Sequence, residues 1–437
     1  MTTPSARVRT RSGWWVVAGG SVLLTLQNGL IMSAFGAYLV AITADTGWSA
    51  GVIALGYAIV QLGNGFISPI TGWCCDRFGT RAVSRIGTVT TAVGFALASV
   101  VGEATHFVGA VVVIALGCSA AGMMPLTVAV VQSVTERRTL ALGLLPTGVA
   151  LGGLAVPLVT WALDSFGWRA TFMGVAVVIF VVGLAAGVVL PTDRAPRPVV
   201  GAATASEPAV VDGPTAVAAS KDRAGSGDHD LHSALRTSAF WLLVLGHGSA
   251  LVAVSAVNLH LVPLMTHHHG IPLAIAGLTV AVMSVAQLLG QIVTGFIGDR
   301  VDKRWYAAIC MVVQTGVLIA LAMVSGIGLV VAAAIVHGIA WGLRGPTMTA
   351  LRTDYFGIGS FGTIMGWSMG FVSLGLVVGP LLVTALADGP AGYPGAFVAL
   401  AVVTGLGSIA FLVLRKPRPP VRRVVQQAVG YGRPEAA

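Results

Sequence analysis

The 437-residue sequence predicts an all-α integral membrane protein with twelve transmembrane helices, and two observations carry that prediction. Hydrophobic residues make up 56% of the chain and charged residues only 9%, whereas soluble domains carry about 25% charged residues. Apolar runs of roughly 20 residues, the length a helix needs to cross a bilayer, recur along the whole chain. A soluble core cannot hold so many long apolar runs, so we exclude a soluble protein.

The predicted spans follow these apolar runs in order. The first run is longer than the ~7–15 apolar residues of a cleaved signal peptide, so we expect it to remain as a span. We place the twelve spans at residues 14–42, 50–72, 84–102, 107–132, 140–163, 169–190, 239–264, 272–297, 305–325, 328–351, 361–386 and 393–414.

The distribution of basic residues predicts the orientation. If the N-terminus is cytoplasmic, all of the 25 Lys and Arg residues except Arg169 and Arg344 fall in cytoplasmic segments or, in the case of Arg85, at the cytoplasmic end of a span. Basic residues favour the cytoplasmic side of a membrane. We therefore predict a multi-pass protein of the cell membrane with both termini in the cytoplasm. The pI of about 9.9 then reflects topology and contact with anionic lipids, not nucleic-acid binding.

The two halves of the chain carry matching landmarks. GWCCDRFGTR (72–81) aligns with GFIGDRVDKR (295–304) at an offset of 223 residues. Further pairs follow in the same order at offsets of 221 and 223. These pairs are Gly117 with Gly338, Pro125 with Pro346, Gly143 with Gly366 and Pro157 with Pro380. The sequence therefore predicts two six-helix repeats.

Five segments follow from the repeat and from composition. The segment between the repeats is rich in Pro, Ala, Gly and Ser, so we expect a disordered linker, with a short helix from about Leu231. The predicted segments are a cytoplasmic arm (1–12), a first bundle (13–190), the linker (191–237), a second bundle (238–414) and a basic tail (415–437).

These paired loops resemble a known family of membrane proteins. The pattern G-x-x-x-D-R-x-G-x-R after the second of twelve spans resembles the signature of the major facilitator superfamily, and the likeness covers nearly the whole chain. The second copy departs from it, because Asp302 stands where the first copy has Gly79. The segments 46–60, 234–248 and 344–366 resemble bacterial members related to monocarboxylate porters and oxalate/formate antiporters.

The resemblance implies a fold and a mechanism. Two six-helix bundles would rock about a site near the membrane midplane, which the first, fourth, seventh and tenth spans line. The loop residues would act as a cytoplasmic gate, where a carboxylate can meet a helix N-terminus or an arginine. The gating residues implied in this way are Asp76, Arg77, Arg81, Asp299, Arg300 and Arg304.

Arg344 is the basic residue that lies well inside a predicted span, the tenth, rather than at the end of one. All Asp and Glu residues map to loops, the linker or the tails, so no acid in a span can neutralise it. Exposure to lipid costs ~2.5 kcal/mol or more, and a guanidinium does not lose its proton. One interpretation is that a substrate carboxylate in a water-filled cavity is its partner. The other is a structural arginine that bonds backbone carbonyls or reaches the cytoplasmic end.

Helical spacing supplies neighbours for Arg344. His337 lies seven residues earlier on the same face, about 10.5 Å along the axis, with Trp341 between them. The equivalent position in the first repeat is Met123, so only one half carries the charge. Other polar residues of the spans are candidates for the site, although hydrogen bonds between helices explain them equally well. These are Gln27, Asn28, His247 and Gln287.

We therefore expect a secondary transporter of small organic monocarboxylate anions that works by alternating access. One arginine suits a monoanion. The resemblance implies two further patterns that are absent here: the Asp–Arg pair that related animal porters carry in the eighth span, and the two basic residues that oxalate exchangers carry on the eighth and eleventh spans. Proton linkage would use His337, His247 or His260, whereas anion exchange needs no proton. An exporter of drugs or amphipathic metabolites is the alternative. We expect lipid contact and a monomer, and no enzyme activity, cofactor or metal, because the spans hold no nucleophile–base pair or ligand cluster.

Overall fold

The computed structural model describes residues 5–134, 138–191, 229–298, 300–323, 326–357 and 361–417. Within these ranges the chain is helical and contains no strand, which confirms the all-α prediction. Most of the predicted linker, much of the basic tail and the first four residues lie outside the described residues.

Irregular turns interrupt the spans of the N-terminal half. The chain forms π-helical turns at Asn28–Ser33 and Ile179–Gly183, and a 3-10 turn at Gly153–Ala155. The α-helices are α1 (Ser5–Gln27), α2 (Phe35–Thr46), α3 (Ala50–Phe66), α4 (Ser68–Phe78), α5 (Thr80–Val100), α6 (Ala104–Ala121), α7 (Met123–Ser133), α8 (Arg138–Leu144), α9 (Thr147–Gly152), α10 (Val156–Val178) and α11 (Leu184–Gly187).

The C-terminal half is built from longer, unbroken helices. Apart from the π-helical turn Leu264–His268, its α-helices continue from end to end. They are α12 (Leu231–Leu235), α13 (Ser238–Pro263), α14 (Leu273–Ile297), α15 (Lys303–Met323), α16 (Ile327–Phe356), α17 (Phe361–Ala387) and α18 (Gly392–Val413).

Ten helices in the described part of the chain are long and apolar enough to cross a membrane, or eleven if the bent pair Ala50–Phe66 and Ile70–Phe78 counts as one span. The predicted count of twelve is not reached by these criteria. The difference lies in Leu140–Gly187, which counts once although it has 48 residues. Inside it, Gly167 has φ 75° and ψ 168°, which is not a helical conformation.

The tenth predicted span is longer than expected. We predicted residues 328–351, but α16 continues to Phe356 and ends at Gly357, whose φ is 78°. We placed the end of the span at residue 351 only because the apolar run ends there. Two glycines let α16 lie directly on α14, because a Cβ at Gly338 or Gly342 would collide with a backbone carbonyl oxygen of α14.

The C-terminal end of the predicted linker, residues 229–237, is ordered and contains the predicted short helix. Asp230 caps α12 by accepting a hydrogen bond from the Ser233 backbone N–H at 2.9 Å. His229 is buried, and its backbone N–H donates to the carbonyl oxygen of Phe356 at 3.0 Å. A capped turn anchored on the end of α16 is therefore ordered, and α12 begins at Leu231 as predicted.

The contact between the two halves begins at the end of the molecule that carries the connections 47–49 and 269–272, and it extends along the helices to Gly65 and Ser373. There α2 packs on α13, α3 on α17, and α10 on α14. Gly36 lies against the carbonyl oxygen of Leu259, and Gly277 lies against Thr160. One continuous core of buried apolar residues runs through both halves in this region.

Candidate functional site

An uncharged polar cavity of about 250 Å³ lies in the N-terminal half. It adjoins the π-helical turn that follows Gln27, and the Tyr38 hydroxyl donates to the Leu30 carbonyl of that turn at 2.7 Å. Irregular turns of this kind are frequent at functional sites, and in a membrane they are tolerated where they are buried or line a cavity. The cavity is lined by Leu24, Gln27, Asn28, Met32, Gln61, Asn64, Met123, Met124 and Val149.

Hydrogen bonds to neighbouring helices orient the amides of this cavity. Gln27 Nε2 donates to Asn64 Oδ1 at 3.4 Å and to the Cys118 carbonyl at 3.0 Å. Asn28 Nδ2 donates to the Val149 carbonyl at 2.6 Å. The irregular first span is thus tied to α3, α6 and α9, which fixes the polar wall.

A break in the fourth predicted span supplies the apolar wall. α6 ends at Ala121 and α7 begins at Met123. Met123 and Met124 are 41% and 40% exposed. The structure therefore brings three of the residues predicted from the sequence, Gln27, Asn28 and Met123, to the same cavity.

Arg344 lies elsewhere, inside the C-terminal half, where α16 packs against α14 and α15. Its side chain is only 1% exposed, and it does not line the 250 Å³ cavity. Its Nε and Nη1 atoms have no hydrogen-bond partner among the described residues. In this arrangement Arg344 is enclosed by helices, and among the described residues neither of these two atoms is bonded to a carboxylate or a backbone carbonyl.

The structure adds a second buried guanidinium, Arg352, so the interpretation of Arg344 as the only basic residue within the spans is wrong. Arg352 is 1% exposed. It donates to Ser368 Oγ at 2.8 Å, to the Met348 carbonyl at 2.9 Å and to His247 Nδ1 at 3.1 Å. The sequence did contain a signal for this position, because Arg352 follows Arg344 by eight residues and precedes Gly357, where the helix ends.

The other predicted residues of the C-terminal half also lie away from the cavity. His337 is fully buried and Gln287 is 4% exposed, while Trp341 is half-buried. His337 and His247 both lie within electrostatic range of Arg344. These histidines and Arg344 form one buried basic region, which Arg352 extends.

No acid neutralises this region within the part of the chain that the structure describes. Every described Asp and Glu is exposed. Asp354 lies on α16 itself, within a helix rather than in a loop as predicted, but it pairs with Lys303 at 2.9 Å on the surface. Among the described residues no three His, Cys, Asp or Glu side chains are grouped as metal ligands would be.

The loop arginines make equivalent contacts in the two halves. Arg81 Nε donates to the carbonyl oxygen of Leu190, and Arg304 Nη1 donates to that of Leu414 at 2.6 Å. Each bond joins the start of the third helix of a repeat to the end of the sixth. The repeat predicted from the sequence is therefore visible as a repeated contact.

The remaining loop residues are at the surface. Asp76, Arg77 and Arg300 are exposed, and the Arg77 guanidinium lies 5.5 Å from the Trp73 ring centroid. Asp299, the counterpart of Asp76, lies outside the described residues. The described loops thus make contacts within their own half.

An exposed carboxylate anchors the opposite end of the N-terminal half. Asp45 Oδ2 accepts hydrogen bonds from Trp168 Nε1 and from Arg169 Nη1, both at 2.8 Å. The Trp168 hydrogen bond and then the Arg169 guanidinium lower the pKa of Asp45 below its usual value. The ends of the first and sixth predicted spans are joined in this way.

The chain was compared with known proteins. A sequence model of the Major Facilitator Superfamily matches residues 21–261 and 243–434. Monocarboxylate transporter 13 of Bos taurus is 27% identical over 326 residues, which cover 71% of this chain and 67% of the relative. MFS-type transporter pytF of Aspergillus terreus is 22% identical over 303 residues, which cover 66% of this chain and 90% of the relative.

Solved structures show the same fold. A bacterial homolog of the human lysosomal transporter Spinster, in an inward-facing and occupied conformation, superposes with a TM-score of 0.69 at 14% identity. The superposition covers 95% of this chain and 97% of that one.

Proposed function

The chain belongs to the major facilitator superfamily, whose members are transporters and not enzymes, and from this premise we propose that it is a secondary active transporter of small organic monocarboxylate anions. The two halves of the chain each match the family. Relatives named monocarboxylate transporters support the substrate class. Within this chain, the observation that supports the proposal is Arg344, which is buried while every described acid is exposed.

The charge of Arg344 needs a partner. A guanidinium keeps its proton, and a buried charge is costly unless it is paired. A substrate carboxylate supplies the missing negative charge and accepts two parallel hydrogen bonds. A monoanion suffices, because the donors of Arg352 already bond Ser368, Met348 and His247.

The cavity suits the remainder of such a substrate. Its volume of about 250 Å³ lies just below the ~300–1,000 Å³ of pockets for drug-sized ligands. Met123 and Met124 offer apolar contact, while the amides of Gln27 and Asn28 offer hydrogen bonds. We propose that the carboxylate moves to Arg344 and the body stays in this cavity when the halves rearrange.

We further propose twelve spans with cytoplasmic termini in the cell membrane. As a single helix, Leu140–Gly187 would run about 72 Å, more than twice the ~30 Å hydrocarbon core. The non-helical Gly167 divides it into two segments of spanning length. Basic residues predominate in the loops that lie on the same side of the membrane as the N-terminus, which supports a cytoplasmic position for that side.

The cytoplasmic loops are proposed as the gate. In that orientation the end where the contact between the halves begins, at 47–49 and 269–272, is external, and the loop pairs lie at the opposite end. Arg81 and Arg304 hold their own bundles together through Leu190 and Leu414. The other loop residues would then make contacts between the bundles when the cytoplasmic side closes. These are Asp76, Arg77, Asp299 and Arg300.

Proton linkage is proposed through His337. In the described arrangement His247 Nδ1 accepts from Arg352, and His260 Nε2 bonds the Pro380 carbonyl at 3.0 Å. Both rings are thus engaged, whereas neither ring nitrogen of His337 has a partner among the described residues. If His337 carries the proton, His337→Gln abolishes uphill accumulation and spares exchange. Unchanged gradient-driven uptake by this variant would assign the coupling to another group or to anion exchange.

The experiment for the main proposal is counterflow in proteoliposomes. Labelled lactate-like acids should exchange against an internal pool, and the matching neutral amides should not compete. Addition of an inward proton gradient should produce accumulation above equilibrium. A protein that exchanges lipophilic cations and ignores carboxylates would refute the anion proposal.

The methionine content of the cavity favours one second candidate, an exporter of amphipathic compounds. Met32, Met123 and Met124 all line it, and methionine adapts to varied apolar ligands. The same counterflow assay separates the two functions, because the positive C-terminal half should repel cations.

A further inference from the structure

Of the buried side-chain polar atoms in the C-terminal half that have no hydrogen-bond partner among the described residues, six belong to only three side chains. They are both amide atoms of Gln314, both ring nitrogens of His337, and Nε and Nη1 of Arg344. Gln314 and His337 are fully buried, and Arg344 is 1% exposed. Buried polar groups in proteins are nearly always bonded, so six such atoms on three residues call for a common explanation.

The three side chains lie on two neighbouring helices, with Gln314 on α15 and both His337 and Arg344 on α16. Helices α15 and α16 are packed neighbours joined by a short connection, so they run antiparallel. Cys310 lies within electrostatic range of Arg344. Gln314 is one turn further along α15, about 6 Å towards the level of His337. It therefore lies between the levels of Arg344 and His337.

Side-chain direction brings the polar ends together. Side chains on a helix lean towards its N-terminus. On α16 both side chains lean the same way, and because the Arg344 side chain is the longer, its guanidinium closes part of the axial separation of about 10.5 Å from His337. Gln314 leans along α15 in the opposite sense, towards the level of Arg344. These directions turn the guanidinium and the amide towards each other, at the levels between Arg344 and His337.

The chemistry of this region favours an anion. Arg344 offers N–H donors on Nε and Nη1, Gln314 offers its NH₂ group, and neutral His337 offers one N–H. Arg344 adds a permanent positive charge, while every described acid is exposed. Water would satisfy the hydrogen bonds but not the charge, and a cation would be repelled.

We propose that Gln314, His337 and Arg344 form a binding site for a small inorganic monoanion of halide size, which serves as the counter-ion of the C-terminal half when no carboxylate is bound. The near-complete burial of all three residues limits the occupant to a compact ion. Its competition with carboxylate rests on the proposed function, whereas halide binding itself does not.

The first test uses purified full-length protein without carboxylates. Its thermal midpoint is measured against chloride and bromide, with methanesulfonate as a larger monoanion at equal ionic strength. We expect a saturable rise with the halides alone, since a ligand that binds the native state stabilises it. No saturable halide effect in the wild type overturns the proposal.

Matched variants locate the site on α15. Gln314→Leu removes both amide atoms, while Thr315→Val alters the next residue, whose hydroxyl bonds the Met311 carbonyl at 2.9 Å. Gln314→Leu should raise the half-saturating halide concentration roughly five- to tenfold, and Thr315→Val should leave it unchanged. Equal halide response in wild type and Gln314→Leu overturns this location.

Should Gln314→Leu fail to give monodisperse protein, crystals of the wild type grown in bromide decide the question. An anomalous peak within hydrogen-bonding distance of the Arg344 guanidinium supports the site, and its absence there overturns it. The two proposals fail separately: carboxylate exchange without halide binding removes only this site, and halide binding without carboxylate exchange removes only the transport function.

Discussion

The two halves share one topology but place polarity in opposite ways. In the N-terminal half the first and fourth spans break at Gln27 and Gly122, and an open, uncharged cavity forms at the breaks. In the C-terminal half α16 runs unbroken past Arg344, which is 1% exposed, whereas its counterpart Met123 is 41% exposed. One repeat therefore supplies the space and the other supplies the charge.

Backbone hydrogen bonding explains this division. A broken helix leaves N–H and C=O groups that need partners, which a cavity wall with amide side chains can provide. A continuous helix satisfies most of its own backbone groups, and in α16 the side-chain atoms of His337 and Arg344 are buried without a partner among the described residues. The contrast teaches that duplicated bundles can differ in binding chemistry without any change of fold.

The largest effect should follow from removal of the charge that distinguishes the halves. Arg344→Ala should weaken carboxylate binding about 100-fold or more, because two charge-assisted hydrogen bonds are lost. Arg344→Lys keeps the charge without the fork, so its loss should be smaller. Isotherms on monodisperse protein measure this, with the neutral amide as control. Full acid binding by Arg344→Ala would end the substrate interpretation.

The second arginine tests whether all buried charge in this half has the same role. Arg352→Gln loses bonds to Ser368, Met348 and His247 and should destabilise the fold by about 3 kcal/mol. Acid affinity of the folded fraction should change little. Denaturant unfolding measures the stability, and exposed Arg300→Gln is the control. Normal stability with lost affinity would move the binding role to Arg352.

The next largest effect should come from a change at the cytoplasmic gate, because closure of the gate involves both halves. Asp76→Asn should slow exchange about tenfold and leave acid affinity intact, because the carboxylate acts at the loop and not in the cavity. Counterflow rates and equilibrium binding are measured separately. Glu103→Gln, exposed at another loop, is the control. A variant with reduced affinity and normal exchange contradicts the gating role.

The neutral half should determine the length of the substrate. Met123→Ala should lower affinity for longer-chain acids roughly five- to tenfold, since apolar contact is lost. Formate and acetate should change less than twofold. A competition series of straight-chain acids measures this. An equal loss for short and long acids would separate Met123 from the substrate's apolar body.

The smallest effect concerns the exposed anchor of the N-terminal half. The pKa of Asp45 is lowered, so its stabilisation is complete above the usual aspartate range and declines as pH falls through the lowered pKa. Asp45→Asn should therefore lower the thermal midpoint slightly at pH 7 and at pH 5, and the difference should shrink only below about pH 4, as pH falls through the lowered pKa. If the difference in thermal midpoint between wild type and Asp45→Asn grew as pH fell, the Asp45 carboxylate would not be the stabilising form.

Much of the fold could be predicted from the sequence because lipid imposes simple rules. Apolar length predicted the positions of the helices, and matched landmarks predicted the repeat, which the equivalent bonds of Arg81 and Arg304 display. Gln27, Asn28 and Met123 were singled out from the sequence, and they meet at one cavity. The twelve-span count remains a proposal, because it depends on Gly167.

Side-chain surroundings could not be predicted in the same way. The length of α16 beyond residue 351 depends on its packing and on Gly357, so Arg352 was assigned to a loop although it is buried. The ordered residues 229–237 depend on a contact between His229 and Phe356, which are distant in sequence.

The sequence by itself determined that this chain crosses a membrane, that it is a duplicated bundle and that one half carries an unmatched charge. Composition and spacing suffice for these conclusions because hydrophobic burial and charge balance depend on residue type. Only the tertiary structure decided where the cavity lies, that Arg344 is enclosed and that Gln314 is buried on the neighbouring helix α15. Those facts depend on helix breaks and on which faces of α14, α15 and α16 meet, and no single helix encodes them.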